Sequence, residues 1–97
     1  MSTLLWRPGL ELPPKDPADE LLIEIQWEDR LGSSSIATAT VTAQTGLTAS
    51  VDSNDATRQV LRLAGGQDGE FYRVTAVIDS ADGQHFERSF MLPVAEL

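Results

Sequence analysis

The stretch Phe71–Leu92, FYRVTAVIDSADGQHFERSFML, constrains this chain more than any other. Tyr72, Val74, Ala76 and Ile78 alternate with Arg73, Thr75, Val77 and Asp79. That period of two marks a strand with one buried face. Phe86, Phe90, Leu92 and Val94 share a parity on the return. The two runs predict a β-hairpin that carries the scaffold. Asp82-Gly83 suggests a two-residue turn, but that register sets Ile78 against Glu87 and Tyr72 against Pro93. A loop of Ala81-Asp82-Gly83 pairs Ile78 with Phe86, Val74 with Phe90 and Tyr72 with Leu92. A one-residue slip would export a whole apolar face. The three-residue loop is therefore predicted, with Gly83 in the left-handed position of a G1 bulge. In this register Arg88 faces inward opposite Ala76, so it belongs at a sheet margin or reaches out along its stem.

The rest of the chain reads as short strands and turns. Asp16-Pro17-Ala18-Asp19-Glu20 resembles a helix start, but Ile23, Ile25 and Trp27 follow at period two, so at most one turn precedes a strand over Leu21–Trp27. Glu28–Gly32 is an exit and Gly32–Ser35 a loop. Ser35–Ala43 is rich in β-formers, yet Ile36 and Val41 have opposite parity, which predicts a bulge or a change of partner. Gln44-Thr45-Gly46 turns, Leu47–Val51 alternates, and Asp52–Asp55 reads as a polar loop. Ala56–Leu63 turns Leu61 and Leu63 inward and Arg58 and Arg62 outward. A glycine-rich connection, Ala64–Gly69, leads into Tyr72.

About seven short strands with closely spaced turns predict an all-β, immunoglobulin-like or fibronectin-III-like β-sandwich over residues 16–97. Its expected core holds Ile23, Ile25, Trp27, Leu61, Leu63, Tyr72, Val74, Phe86 and Phe90. Tyr72 follows a glycine-rich corner and is a candidate tyrosine corner, a buried ring whose hydroxyl bonds nearby backbone.

Residues 1–15 form an extended N-terminal arm. Pro8-Gly9 and Pro13-Pro14 break regular structure, and the proline pair favours a polyproline-like path. Leu4-Leu5-Trp6 is too apolar to leave in water. Either the arm folds back as a first edge strand or it reaches onto a neighbouring subunit. Leu4, Leu5, Trp6, Arg7 and Leu10 are the candidate protein-interface residues.

Little in the chain points to reaction chemistry. It has 97 residues, a formal net charge of −8 and no cysteine. Seven scattered basic residues suit nucleic acid poorly. No run of about 20 apolar residues predicts membrane insertion, and Met1–Leu5 is too short and weakly basic for a signal peptide. His85, the one histidine, lacks the partners of a general base or metal ligand. Asp52, Asp55, Asp68, Asp79 and Asp82 match no calcium-loop spacing. Gly65-Gly66 and Gly69 lack the lysine and helix of a phosphate loop. No enzyme activity, metal or cofactor is expected.

Several motifs, in order, carry a family resemblance. They are Lys15-Asp16-Pro17, Ile25-x-Trp27, Ile36-Ala37-Thr38, Gly46-Leu47-Thr48, Leu63-Ala64-Gly65-Gly66, Tyr72-x-Val74-Thr75, and Gly83 with Glu87-Arg88-Ser89-Phe90. Together, over about Lys15–Val94, the chain resembles the small immunoglobulin-like proteins of tailed bacteriophages described as fibre–tail adaptors. Val41 stands where that pattern often has Trp, and residues before Lys15 are extra. The resemblance implies a non-enzymatic virion structural protein, made in the bacterial host cytoplasm and located in the tail. It implies docking on the tail to help attach fibres or other tail components, in multiple symmetry-related copies, with tail tube, adaptor or fibre proteins as partners. The alternative is a head-decoration or cell-surface, glycan-binding module, which calls for exposed aromatics at loop ends.

Overall fold

The hairpin forms in the register that face-matching requires. A computed structural model describes residues 3–97; Met1 and Ser2 of the expected arm lie outside the described residues. Strands β6 (Phe71–Ser80) and β7 (His85–Pro93) pair Ile78 with Phe86, Val74 with Phe90 and Tyr72 with Leu92. At the turn, Ser80 N–H donates to Gln84 O at 2.8 Å and Gly83 N–H to Ser80 O at 3.0 Å. Gly83 has φ +89°, the left-handed residue that closes a three-residue loop.

The remaining elements are β1 (Leu4–Trp6), β2 (Glu20–Gln26), the single turn α1 (Glu28–Leu31), β3 (Ile36–Ala43), β4 (Leu47–Asn54) and β5 (Arg58–Gly65). They build a four-stranded sheet, β1-β2-β5-β4, facing a three-stranded sheet, β3-β6-β7. That is the ABED and CFG order of a constant-type immunoglobulin sandwich. The first strand departs from it, because β1 runs parallel to β2.

Two segments differ from the sequence reading, and a third shows the bulge it predicted. Asp52–Asn54 extends β4 instead of forming a loop, with a register shift between Val51 and Ser53. The strand continues because Asp52 is held by Arg62 of β5 across the ladder, at 2.9 Å. The exit after Trp27 is a helical turn, which buries Leu31 under the end of the sandwich. In β3 the register shifts between Ile36 and Thr38. That bulge puts Ile36 on the side of Ala39, Val41 and Ala43, all packed against the core, and so settles the conflicting parity.

Of the nine expected core residues, eight are buried; Phe86 is only half-buried, with Arg30 lying 5.0 Å over its ring. A polar contact joins the two sheets inside the core. Trp27 Nε1–H donates to Gln59 Oε1 at 3.0 Å, and Gln59 Nε2–H donates to Thr40 O at 2.9 Å. Gln59 is fully buried, and these two bonds are what make its amide tolerable there. Arg88 is the expected inward-facing cation. Its guanidinium stacks 4.8 Å over Trp27 and donates to Gln26 O at 2.7 Å, with Asp29 as its carboxylate partner.

Tyr72 is a tyrosine corner. Its hydroxyl accepts Gln67 N–H at 3.0 Å. Its ring is pressed between two glycines: a Cβ on Gly46 would sit 3.0 Å from Cε1, and one on Gly66 would sit 3.2 Å from Cε2 and 2.8 Å from Val94 Cγ2. Gly69 shares the positive φ but has nothing within 4 Å. Gly69→Ala should cost only the left-handed strain, about 1 kcal/mol. Gly66→Ala should cost about 1–3 kcal/mol more, from overpacking. Urea unfolding of the two variants compares them directly; equal losses would contradict the close packing.

Candidate interaction surface

The arm takes the first of its two expected paths and folds back on its own body. Leu4, Leu5 and Trp6 pair with Ile23, Glu24 and Ile25. Trp6 is buried, with its ring centroid 5.5 Å from that of Phe90 in the opposite sheet. Leu12 is buried as well. Residues 4–12 therefore complete the core across one open side of the sandwich.

Lys15 fastens the end of this segment. Its N–H donates to Pro93 O at 2.9 Å, and Ala95 N–H donates to Lys15 O at 2.9 Å, forming a parallel bridge to Val94. The side chain is 1% exposed, and Nζ donates to Gly65 O at 2.7 Å and Asp16 O at 2.8 Å. Burial lowers its pKa, opposed by the charges of Asp19, Asp16 and Glu20. Sequence reading placed Lys15 at the end of the extended arm, with nothing to signal its burial. Its burial depends on the Gly65 carbonyl at the end of β5, far along the chain, which no local pattern encodes.

The five candidate interface residues are divided by the structure. Trp6 is buried and Leu5 half-buried; Leu4, Arg7 and Leu10 are exposed. Leu10 also belongs to a larger arrangement. A slot of about 520 Å³ separates arm residues 9–12 from β7 and is lined by Trp6, Leu10, Phe71, Phe90, Met91 and Pro93, among others. Leu10, Phe71 and Met91 are 48%, 64% and 45% exposed, three of the five large exposed apolar residues among the described residues. The three line one slot on the same face of the molecule. Phe71 and Met91 were missed as surface residues, although their parity, opposite to Tyr72 and Leu92, places them outward. The signal lay in two apolar residues on a polar face.

The loop aspartates each have a partner. Asp55 Oδ2 meets Arg58 at 2.8 Å, Asp68 Oδ1 accepts Glu96 N–H at 2.8 Å, and Asp82 pairs with Ser80. Asp79 Oδ1 lies 2.8 Å from His85 Nδ1, while Glu87 Oε2 lies 3.0 Å from its Nε2. Among the described residues, no three His, Asp or Glu groups come together to hold a metal ion.

Hydrogen bonds to Asp79 and then Glu87 raise the His85 pKa, and the bond from His85 lowers that of Asp79. A raised histidine stabilises the fold fully below its unfolded value, 6.5, and loses that contribution as pH rises through the folded value. The depressed Asp79 contributes above its unfolded value, 3.8, and loses it as pH falls through the folded value. His85→Gln should therefore lose more stability at pH 6 than at pH 8.5, read from urea midpoints. A loss independent of pH would show that the triad is not ionically coupled.

The family comparison fits this architecture. The model of the podophage GP4 fiber-tail adaptor protein gp77 matches residues 15–93. No curated protein and no solved structure matches the chain. The matched span begins at the buried Lys15 and takes in every strand but β1. The sandwich, from its Lys15 clip to the end of β7, thus belongs to the family of the podophage GP4 fiber-tail adaptor protein gp77.

Proposed function

We propose that the protein docks on the tail of a phage particle and helps attach fibres or other tail components. It acts there as a non-enzymatic building block, made in the host cytoplasm and present in several symmetry-related copies. The observation that carries this reading is the family match over residues 15–93, and membership supports association with other tail proteins. The exposed apolar patch of Leu10, Phe71 and Met91 supplies the contact surface. Apolar side chains at the centre of a patch give contacts their affinity, while a polar surround keeps the free protein soluble. A glycan-binding module would need aromatics at loop ends, but Trp27 and Tyr72 are buried and Phe71 stands in the apolar patch.

Removing residues 1–12 is a poor test, because Trp6 and Leu12 leave the core with them. The double variant Phe71→Glu, Met91→Glu changes only exposed positions. It should unfold within about 1 kcal/mol of the parent and be absent from purified particles, as read by quantitative mass spectrometry. Incorporation at the parental level would remove the patch from the interface.

A further inference from the structure

We infer that the outer edge of β7 accepts an extended strand from a partner virion protein, adding it to the β3-β6-β7 sheet inside the slot beside the arm. The inference rests on the adaptor reading and specifies how the docking is made.

The first support is the backbone register. In an antiparallel ladder the hydrogen-bonding groups of successive residues alternate between the two sides of the strand. Ser80 N–H donates to Gln84 O, and Val94 N–H to Glu70 O, so the even-numbered residues of β7 serve β6. The odd-numbered residues face outward, as the bonds of Pro93 and Ala95 to Lys15 confirm. His85, Glu87, Ser89 and Met91 thus present their N–H and C=O groups along an edge with no strand beside it among the described residues.

The second support is what prevents the arm from filling that edge. Lys15 starts a parallel ladder on β7. Its next rung would need the N–H of residue 13 donating to Met91 O and the N–H of residue 93 donating to residue 13 O. Both are prolines, which have no N–H. The ladder stops there, the arm diverges, and the slot of about 520 Å³ opens between residues 9–12 and β7.

Comparison with the other edges is the third support. Sheet edges are commonly blunted by shortness, bulges or charge. Strand β1 has three residues, and β3 and β4 each carry a register shift. The nine-residue β7 pairs with β6 without interruption. It is the long regular edge, and it alone is flanked by Leu10, Phe71 and Met91.

The same features define the occupant. The slot has the arm as its far wall, so it admits one extended chain and not the edge of a second whole sheet. A net charge of −8 on every copy opposes self-pairing and favours a neutral or basic segment. Alternate side chains of that segment would be apolar, entering beside Trp6, Leu10 and Phe90. Strand addition of this kind draws affinity from main-chain bonds and specificity from alternate side chains.

Ser89→Pro deletes the central outward N–H and spares every backbone bond to β6, losing besides only the hydroxyl contact with Thr75, at a position where edge strands accept proline. Ser89→Ala removes the same hydroxyl and keeps the N–H. Particles are purified from hosts producing each variant, and hydrogen exchange is followed in free protein and in isolated tails. Ser89→Ala should incorporate like the parent, and Ser89→Pro at least about tenfold less, the scale set by one or two lost hydrogen bonds. The amides of Glu87, Ser89 and Met91 should exchange freely in solution and slowly in tails. A folded Ser89→Pro that incorporates like Ser89→Ala overturns strand addition and leaves the adaptor reading standing. Unprotected edge amides in tails overturn it too, with no variant needed. Absence of the parent protein from particles would overturn both.

Discussion

The packing of Tyr72 holds the parts of this molecule in their relative positions. One ring touches the turn before β4 through Gly46, the connection after β5 through Gly66, and the β5–β6 corner through the bond from Gln67 to its hydroxyl. Gly66 in turn lies against Val94, whose backbone neighbours Pro93 and Ala95 are bonded to Lys15. The arm's point of attachment is thus positioned by a ring at the head of the central strand of the smaller sheet. The glycines are needed less for flexibility than for proximity, since a methyl group at Gly66 would occupy space already taken by the ring and by Val94.

Legibility in the sequence followed the range of the interaction. The β6–β7 register could be read because parity and turn chemistry agree within a short stretch, and the burial of Ile23, Ile25, Leu61 and Leu63 followed from the same alternation. Gln59 shares the parity of Leu61 and Leu63, so its inward position was legible too. Its partners, Trp27 and Thr40, were not, because they come from other strands. Lys15 is the extreme case: a lysine between two proline-rich segments looks solvated until Gly65 O is brought to it. The arm's path depends on Trp6 meeting Phe90 across the sandwich, a contact no local pattern contains. The surface residues Phe71 and Met91 needed only parity, but the edge beside them needed the strand order.

Surface and scaffold divide this small domain without separate elements for each. Odd residues of β7 face solvent while most even ones face the core, so one strand serves both purposes. Arg88 shows how tightly the two are joined. It lies in the edge strand, yet its charge is spent on Trp27, Gln26 O and Asp29 at the end of the sandwich. The acidic surplus lies elsewhere, much of it paired on the outer face of the larger sheet, where Arg58 meets Glu24 and Asp55 and Arg62 meets Asp52 and Glu20.

The Lys15–Val94 bridge has a mechanical consequence. Its two chains run in the same direction, so tension drawn back through the arm and forward through the residues after Val94 pulls them past each other. Both backbone bonds of Lys15, and the bond from Leu97 N–H to Asp16 at 3.0 Å, then bear load together instead of unzipping in turn. Forced separation is governed by the rate of rupture, and simultaneous loading slows that rate. Along this line the sandwich resists in shear.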